Sequence, residues 1–140
     1  RWVHRTMRYT RVVTGVDTTA AEAFAQRAGV CQDYAHVLLA LCRLCGLPAR
    51  YVSGHLLGEG ATHAWVEVLV AAGDDRAAAH PLDPTHGVRA GIRHLTVAVG
   101  RDYHDVAPTS GTFRADVAGA LTARNRVVMM EGDRPLGELA

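Results

Sequence analysis

The sequence predicts one α+β domain in which a buried helix packs on an antiparallel β-sheet. Helix signals fall in the first third of the chain, and strand signals with period-two alternation follow from residue 49 onwards. The chain has 140 residues, of which 49% are hydrophobic and 21% are charged. This length is sufficient for one hydrophobic core, and the composition is that of a globular protein.

Two main helices are predicted, after a short helix or strand within residues 1–9. Thr19 followed by Glu22 is a capping-box pattern that opens a helix over about 19–27. The second helix begins at about Cys31 and ends at Gly46, with Pro48 beyond it. It has no polar residue from 37 to 42, so we expect it to be buried on all sides.

Strands are predicted at residues 49–57, 62–70 and 94–100, with a weaker, alanine-rich strand at 76–82. A glycine-rich turn joins the first two as an antiparallel hairpin. Alternation along the second strand puts His63 and Trp65 on one face. Pro84 keeps Asp83 extended, so its carboxylate is expected at a strand end. Residues 112–118 and 126–131 are later strand candidates.

Charge and cysteine content exclude several classes of function. The formal net charge is +1, without a dense basic run, so neither nucleic acid nor a membrane is expected as a partner. No apolar stretch is long enough to span a bilayer, and no signal peptide is visible. The three cysteines are an odd number, which argues against a disulfide framework and favours a cytoplasmic location.

Cys31 is a candidate for chemistry because of its place at a helix start. Thiols at helix N-termini have lowered pKa values and react as thiolates. A free cysteine is also often a small core residue, so the position alone does not decide. His63 and Asp83 follow in the order Cys–His–Asp, which supplies an imidazole to take the thiol proton and a carboxylate to orient that imidazole.

The local contexts of these residues are more specific than their order. The stretches around them are GVCQDYAH (29–36), THAWVEV (62–68) and LDPTHG (82–87). They resemble the three motif blocks of the transglutaminase-like superfamily, and in particular its bacterial branch. GLPARYVSG (46–54) and VAVGRDY (97–103) are also similar to that family. The resemblance covers residues 17 to 113.

This resemblance implies a papain-like core with Cys31 as nucleophile, His63 as general base and Asp83 as orienting carboxylate. It implies attack on an amide of a peptide or protein, including a glutamine side chain, to give a thioester. Water would release the acyl group by hydrolysis, and an amine would release it by transamidation. No cofactor and no metal is implied. We expect residues 1–140 to be a single catalytic domain of a longer chain, since the sequence begins at Arg1 rather than at a methionine.

Substrate contacts are predicted less sharply. Gln32 and Trp65 are candidates for the second oxyanion donor, beside the backbone N–H of Cys31. His55 and Tyr103 are candidates for lining the cleft, and the remaining histidines lack metal-ligand spacing. Two other interpretations stay open. The domain is a binding module without catalysis, or the C-x-x-C pair of Cys42 and Cys45 forms a zinc or redox site.

Overall fold

The structure is a computed structural model that describes residues 1–108, 111–112, 114, 116, 126–128, 130–131 and 134–135. The helices and the short strands between them come first: α1 (Trp2–Thr6), β1 (Arg8–Tyr9), α2 (Ala20–Gln26), β2 (Ala28–Gly29) and α3 (Cys31–Leu44). The remaining elements are β3 (Ala49–Leu56), β4 (Thr62–Ala71), β5 (Ala77–Asp83), β6 (Val88–Arg89), β7 (His94–Gly100), a 3-10 helix (His104–Val106), β8 (Met130–Glu131) and β9 (Arg134–Pro135). This order confirms the α+β class.

The predicted capping box at the start of α2 is present. The N–H of Glu22 donates to the Thr19 hydroxyl at 3.2 Å, and the N–H of Thr19 donates to the Glu22 carboxylate at 2.8 Å. Two N–H groups that the first helical turn leaves unpaired are therefore satisfied by side chains. The helix ends one residue earlier than predicted, because Arg27 takes the left-handed conformation.

The start of α3 is fixed by Asp33, whose side chain is 1% exposed. Its Oδ2 accepts hydrogen bonds from the N–H of Val30 and from the Thr14 hydroxyl, both at 2.7 Å. Gly29 leaves the space that this carboxylate fills. The first turn of α3 is thus tied to the preceding loop, and Cys31 lies at a defined place on it.

The sheet has five strands in the order β6-β5-β4-β3-β7, and every neighbouring pair is antiparallel. The hairpin of β3 and β4 is as predicted, and so is the place of Asp83 at the end of β5. In the register of β3 and β4, Gly54 lies opposite His63. The pairing of β3 with β7 shifts between Ser53 and Gly54.

Helix α3 packs between the sheet and the smaller helices. Its sheet side contacts a core cluster that includes Leu39, Tyr51 and Val66. Its other side joins Tyr34 to residues of α1 and α2 in a second cluster. No residue from Cys31 to Cys42 is exposed, which agrees with the expected burial. The last turn differs, since Leu44 is 84% exposed.

The end of the chain is described only in part. The strand predicted at 112–118 lies mostly outside the described residues. Within the strand predicted at 126–131, Met130–Glu131 is a strand, and it pairs with Arg134–Pro135. In the described part of the chain, no helix has both the length and the apolar character required to cross a membrane.

Candidate active site

Cys31 is the first residue of α3 and its thiol is unpaired with any other cysteine. It lies half-buried at the wall of a cavity of about 430 Å3. The residues that line this cleft come from the segment after α1, from the turn and start of β4, and from the turn after β5. They are Tyr9, Arg11, Cys31, Glu59, Gly60, Ala61, Thr62, His63, Thr85 and His86.

His63 is the second residue of β4 and is 3% exposed. Its Nε2 lies 2.8 Å from Asp83 Oδ2, and its ring stacks on Trp65 with 6.2 Å between centroids. Burial alone would lower the pKa of this imidazole. Hydrogen bonds with Asp83 and with Cys31, together with the charges of both groups, raise the pKa to about 10. The Asp83 carboxylate therefore favours the imidazolium form of His63, and Cys31 lines the same cleft.

Asp83 is the last residue of β5 and is 1% exposed. Its Oδ1 accepts the backbone N–H groups of Thr85 and His86, at 2.9 and 3.1 Å. Burial tends to raise the pKa of the carboxyl group, but hydrogen bonds from His63, His94 and His86 hold it well below its usual range. Asp83 is thus a fixed anion at the back of the cleft.

Asp83 contacts two further imidazoles, and the sequence analysis did not predict either of them as part of the site. The Nδ1 of His86 lies 2.8 Å from Asp83 Oδ2, and the Nε2 of His94 lies 3.0 Å from the same oxygen. His86 also approaches Glu59, with 3.5 Å between its Nε2 and Oε1. The position of His86 in the turn directly after Asp83 was a usable signal. The position of His94 was not, because it depends on the pairing of β3 with β7.

Tyr9 and Arg11 also line the cleft, and no motif in the sequence predicts this. Strand β1 pairs with β2 in parallel, and this pairing puts Tyr9 beside Gly29, two residues before the thiol. The N–H of Thr10 donates to the Gly29 carbonyl at 2.9 Å. The segment after α1 therefore forms one wall of the cleft.

A metal ion has one set of suitable donors among the described residues. One donor atom from each of His63, Asp83 and His86 lies within 4.8 Å of the others. All three side chains are already joined by hydrogen bonds, so an ion would have to displace them. The C-x-x-C pair is less suited to binding a metal ion, because Cys42 is buried and Cys45 is exposed. That no metal is needed stays a prediction.

The four predicted substrate contacts are not among the residues that line the cleft. The Nε2 of Gln32 donates to the Val16 carbonyl at 3.0 Å, so this amide fastens the loop before α2. Trp65 is 1% exposed and lies behind the His63 ring, in a cluster with Val52 and Ala90. These positions do not favour either residue as the second oxyanion donor.

His55 and Tyr103 do not line the cleft. His55 pairs with Thr62 and so lies on the sheet face that packs on α3. Tyr103 packs against the main core cluster, and its N–H donates to His36 Nε2 at 3.2 Å. Their assignment as substrate-binding residues stays a prediction.

The shifted pKa values of His63 and Asp83 predict how stability depends on pH. The raised pKa of His63 contributes stability that is complete below 6.5 and is lost as the pH rises towards about 10. The depressed pKa of Asp83 contributes stability that is complete above 3.8 and is lost at lower pH. We expect the free energy of unfolding to be highest between these two limits, as measured by urea unfolding across pH. A His63→Gln variant should lose the alkaline decline, and an unchanged decline would contradict the role of His63.

Comparison with known proteins gives three results. A family model, Transglutaminase-like superfamily, matches residues 1–80, which include Cys31 and His63 but not Asp83. An uncharacterized protein of Mycobacterium leprae is 37% identical over 123 residues, or 81% of this chain, and one of Mycobacterium tuberculosis is 36% identical over 132 residues, or 86%. The chain spans 42% of the length of each of these relatives.

The third result is structural. A crystal structure from Cytophaga hutchinsonii, described as a "putative cysteine protease", matches with a TM-score of 0.67 and 32% identity. The match covers 76% of this chain and 35% of that one. Sequence and fold therefore point to the same group of proteins.

Proposed function

This chain belongs to the transglutaminase-like superfamily, and from that premise we propose that it is a thiol enzyme. It would hydrolyse amides of peptides or proteins, or transfer their acyl groups to an amine. One observation carries the proposal. The imidazole of His63 lies 2.8 Å from the Asp83 carboxylate, and His63 and Cys31 line the same open cleft. A nucleophile, a base and an orienting group within mutual reach are the requirements of covalent acyl transfer.

The proposed first half-reaction forms a thioester. His63 takes the proton of Cys31, and the sulfur attacks the amide carbonyl carbon to form a carbon–sulfur bond. The negative charge on the carbonyl oxygen is stabilised by N–H groups at the start of α3, the backbone N–H of Cys31 among them. His63 then gives its proton to the leaving nitrogen, the carbon–nitrogen bond breaks, and the amine departs.

The second half-reaction restores the thiol. Water or a second amine gives a proton to His63 and attacks the thioester carbonyl. The carbon–sulfur bond breaks, and the sulfur takes the proton back from the imidazolium. The product is a carboxylic acid with water and a new amide with an amine. Both outcomes share the same acyl-enzyme, so the proposal covers hydrolysis and transamidation alike.

The likeness to the Cytophaga hutchinsonii protein supports a thiol enzyme in general terms. Because the chain spans less than half of the mycobacterial relatives, the activity, substrates and partners of a complete protein are part of the proposal. So are a cytoplasmic location and the treatment of residues 1–140 as one catalytic unit.

Trapping the acyl-enzyme tests the proposed function. Incubation with a peptide library, followed by acid quench and mass spectrometry, should reveal an acyl group on the peptide that contains Cys31. Iodoacetamide should alkylate Cys31 faster than Cys42 or Cys45, since only Cys31 is paired with an imidazole. Cys31→Ala should abolish both signals, whereas the matched control Cys45→Ala should keep them.

Two outcomes would overturn this proposal. The first is a Cys31 that reacts no faster than a model thiol in a folded protein. The second is a wild-type chain that binds peptides as tightly as Cys31→Ala without turning any over, which would favour the binding-module interpretation.

A further inference from the structure

One carboxylate oxygen in this molecule faces three imidazoles. The Oδ2 of Asp83 lies 2.8 Å from His63 Nε2, 2.8 Å from His86 Nδ1 and 3.0 Å from His94 Nε2. The proposed reaction uses only His63. His86 is 42% exposed at the cleft, whereas the His94 side chain is 9% exposed and lines a neighbouring cavity of about 520 Å3 together with His86 and Glu59. The proposed reaction steps do not use His94, yet its ring holds the carboxylate that orients His63.

The backbone fixes the tautomer of His94. The N–H of Gly91 donates to His94 Nδ1 at 3.2 Å, so this nitrogen acts as an acceptor and carries no proton. The ring proton is consequently on Nε2, where it points at Asp83 Oδ2. A neutral imidazole in this tautomer donates one hydrogen bond to the carboxylate without bringing a charge of its own.

The ring of His94 is also fixed in orientation. Trp65 meets it edge-on, with 5.2 Å between centroids and 80° between planes, and the same indole stacks on His63. His94 is the first residue of β7, and its N–H donates to the Gly91 carbonyl at 2.8 Å. Both ring nitrogens and the ring of His94 thus have fixed partners, so the Nε2–H group can point only at Asp83 Oδ2.

We propose that His94 is a positioning residue that holds Asp83 so that the carboxylate keeps His63 aimed at the Cys31 thiol. This inference rests on the proposed function for its catalytic meaning. The Oδ1 of Asp83 is held by two backbone N–H groups, and His94, which is less exposed than His86, donates to Oδ2 and limits its rotation. Besides Asp83 and His94, the ionisable groups of the described residues that face the His63 ring are Cys31, Glu59 at 3.9 Å from its Nδ1, and His86 with 5.2 Å between ring centroids.

A pair of isosteric variants separates this role from packing. His94→Gln keeps an amide N–H at the place of Nε2, and His94→Asn keeps a polar group only at the place of Nδ1. We expect His94→Asn to lower the pKa of His63 by about one pH unit, because Asp83 Oδ2 can then turn away from the imidazolium and its hydrogen bond to His63 weakens. In His94→Gln, the pKa of His63 should stay close to its wild-type value. The measurement is the pH titration of nitrogen-15 histidine signals, with His63 assigned by its loss in His63→Gln.

The titration needs no substrate, so it distinguishes this inference from the proposed function. A lowered His63 pKa in His94→Asn, found together with no acyl-enzyme in the wild type, would support the positioning role of His94 and refute the proposed enzymatic function. If activity is found, kcat should fall about tenfold in His94→Asn with little change in KM, because the proposed role of His94 is to hold Asp83 rather than to bind substrate. The control His80→Asn, on β5 but away from Asp83, should change neither quantity.

The wild-type protein supplies a second measurement that does not depend on a variant folding. Nitrogen-15 shifts at pH 8 should show the His94 ring with its proton on Nε2 and none on Nδ1. A proton on Nδ1 would overturn the proposal, and so would a folded His94→Asn protein with an unchanged His63 titration.

Discussion

Replacing Asp83 with asparagine is expected to lower kcat/KM by about 10³- to 10⁴-fold, the scale typical of removing the charge from a triad carboxylate. The two backbone N–H groups at Oδ1 would hold the amide oxygen of asparagine. The amide NH2 would then point at His63 Nε2, which could only accept. The proton of the imidazole would move to Nδ1, on the side of Cys31, and the ring could no longer take the thiol proton.

The alkylation rate of Cys31 by iodoacetamide at pH 7 checks this result without knowledge of the substrate. It should fall in Asp83→Asn, because the imidazolium that stabilises the thiolate is lost. Asp102→Asn is a matched control, since Asp102 accepts the N–H of His104 and is not among the residues that line the cleft. An alkylation rate within about threefold of wild type in Asp83→Asn would contradict the role of the carboxylate.

Replacing Gly54 with alanine is expected to destabilise the fold by about 3 kcal/mol, the upper range for forcing extra atoms into a packed core. A Cβ at Gly54 would overlap the carbonyl oxygen of Leu95 and come within 2.7 Å of the Trp65 indole. Neither has room to give way, because Leu95 is paired to β3 and Trp65 is 1% exposed. The strain falls on the indole that supports the His63 ring.

Urea unfolding at pH 6, with Gly15→Ala as control, measures the loss in the free energy of unfolding. A methyl group added at Gly15 would meet no atom within 4 Å, so this control should change stability by less than about 0.5 kcal/mol. A Gly54→Ala protein as stable as wild type would mean that β7 adjusts at the register shift between Ser53 and Gly54.

The parts of the fold that can be predicted from the sequence are those with local causes. The capping box of Thr19 and Glu22, the start of α3 at Cys31 and the alternation of β4 around His63 all depend on residues within a few positions of one another. The end of β5 at Asp83 is also predictable, because Pro84 restricts the residue before it. Local steric and hydrogen-bonding rules are sufficient there.

The parts that sequence reasoning misses depend on contacts between distant segments. His94 reaches Asp83 because β7 pairs with β3 at the sheet edge, and no periodicity states which strand pairs with which. Tyr9 enters the cleft through a two-residue parallel pairing that is too short to leave a pattern. Gln32 is a candidate oxyanion donor by its place in the chain, but its amide faces a loop carbonyl that only the folded chain brings near.

The separate origins of the thiol and its partners have a consequence for the order of folding. His63 and Asp83 are 20 residues apart on one hairpin, so they can meet early, since hairpins form in about 1–10 μs. Cys31 is on a helix that reaches them only after α3 docks on the sheet. A newly made or partly folded chain therefore has a base but no positioned nucleophile. Under the proposed function, we therefore expect the chain not to attack its own exposed backbone before α3 has docked.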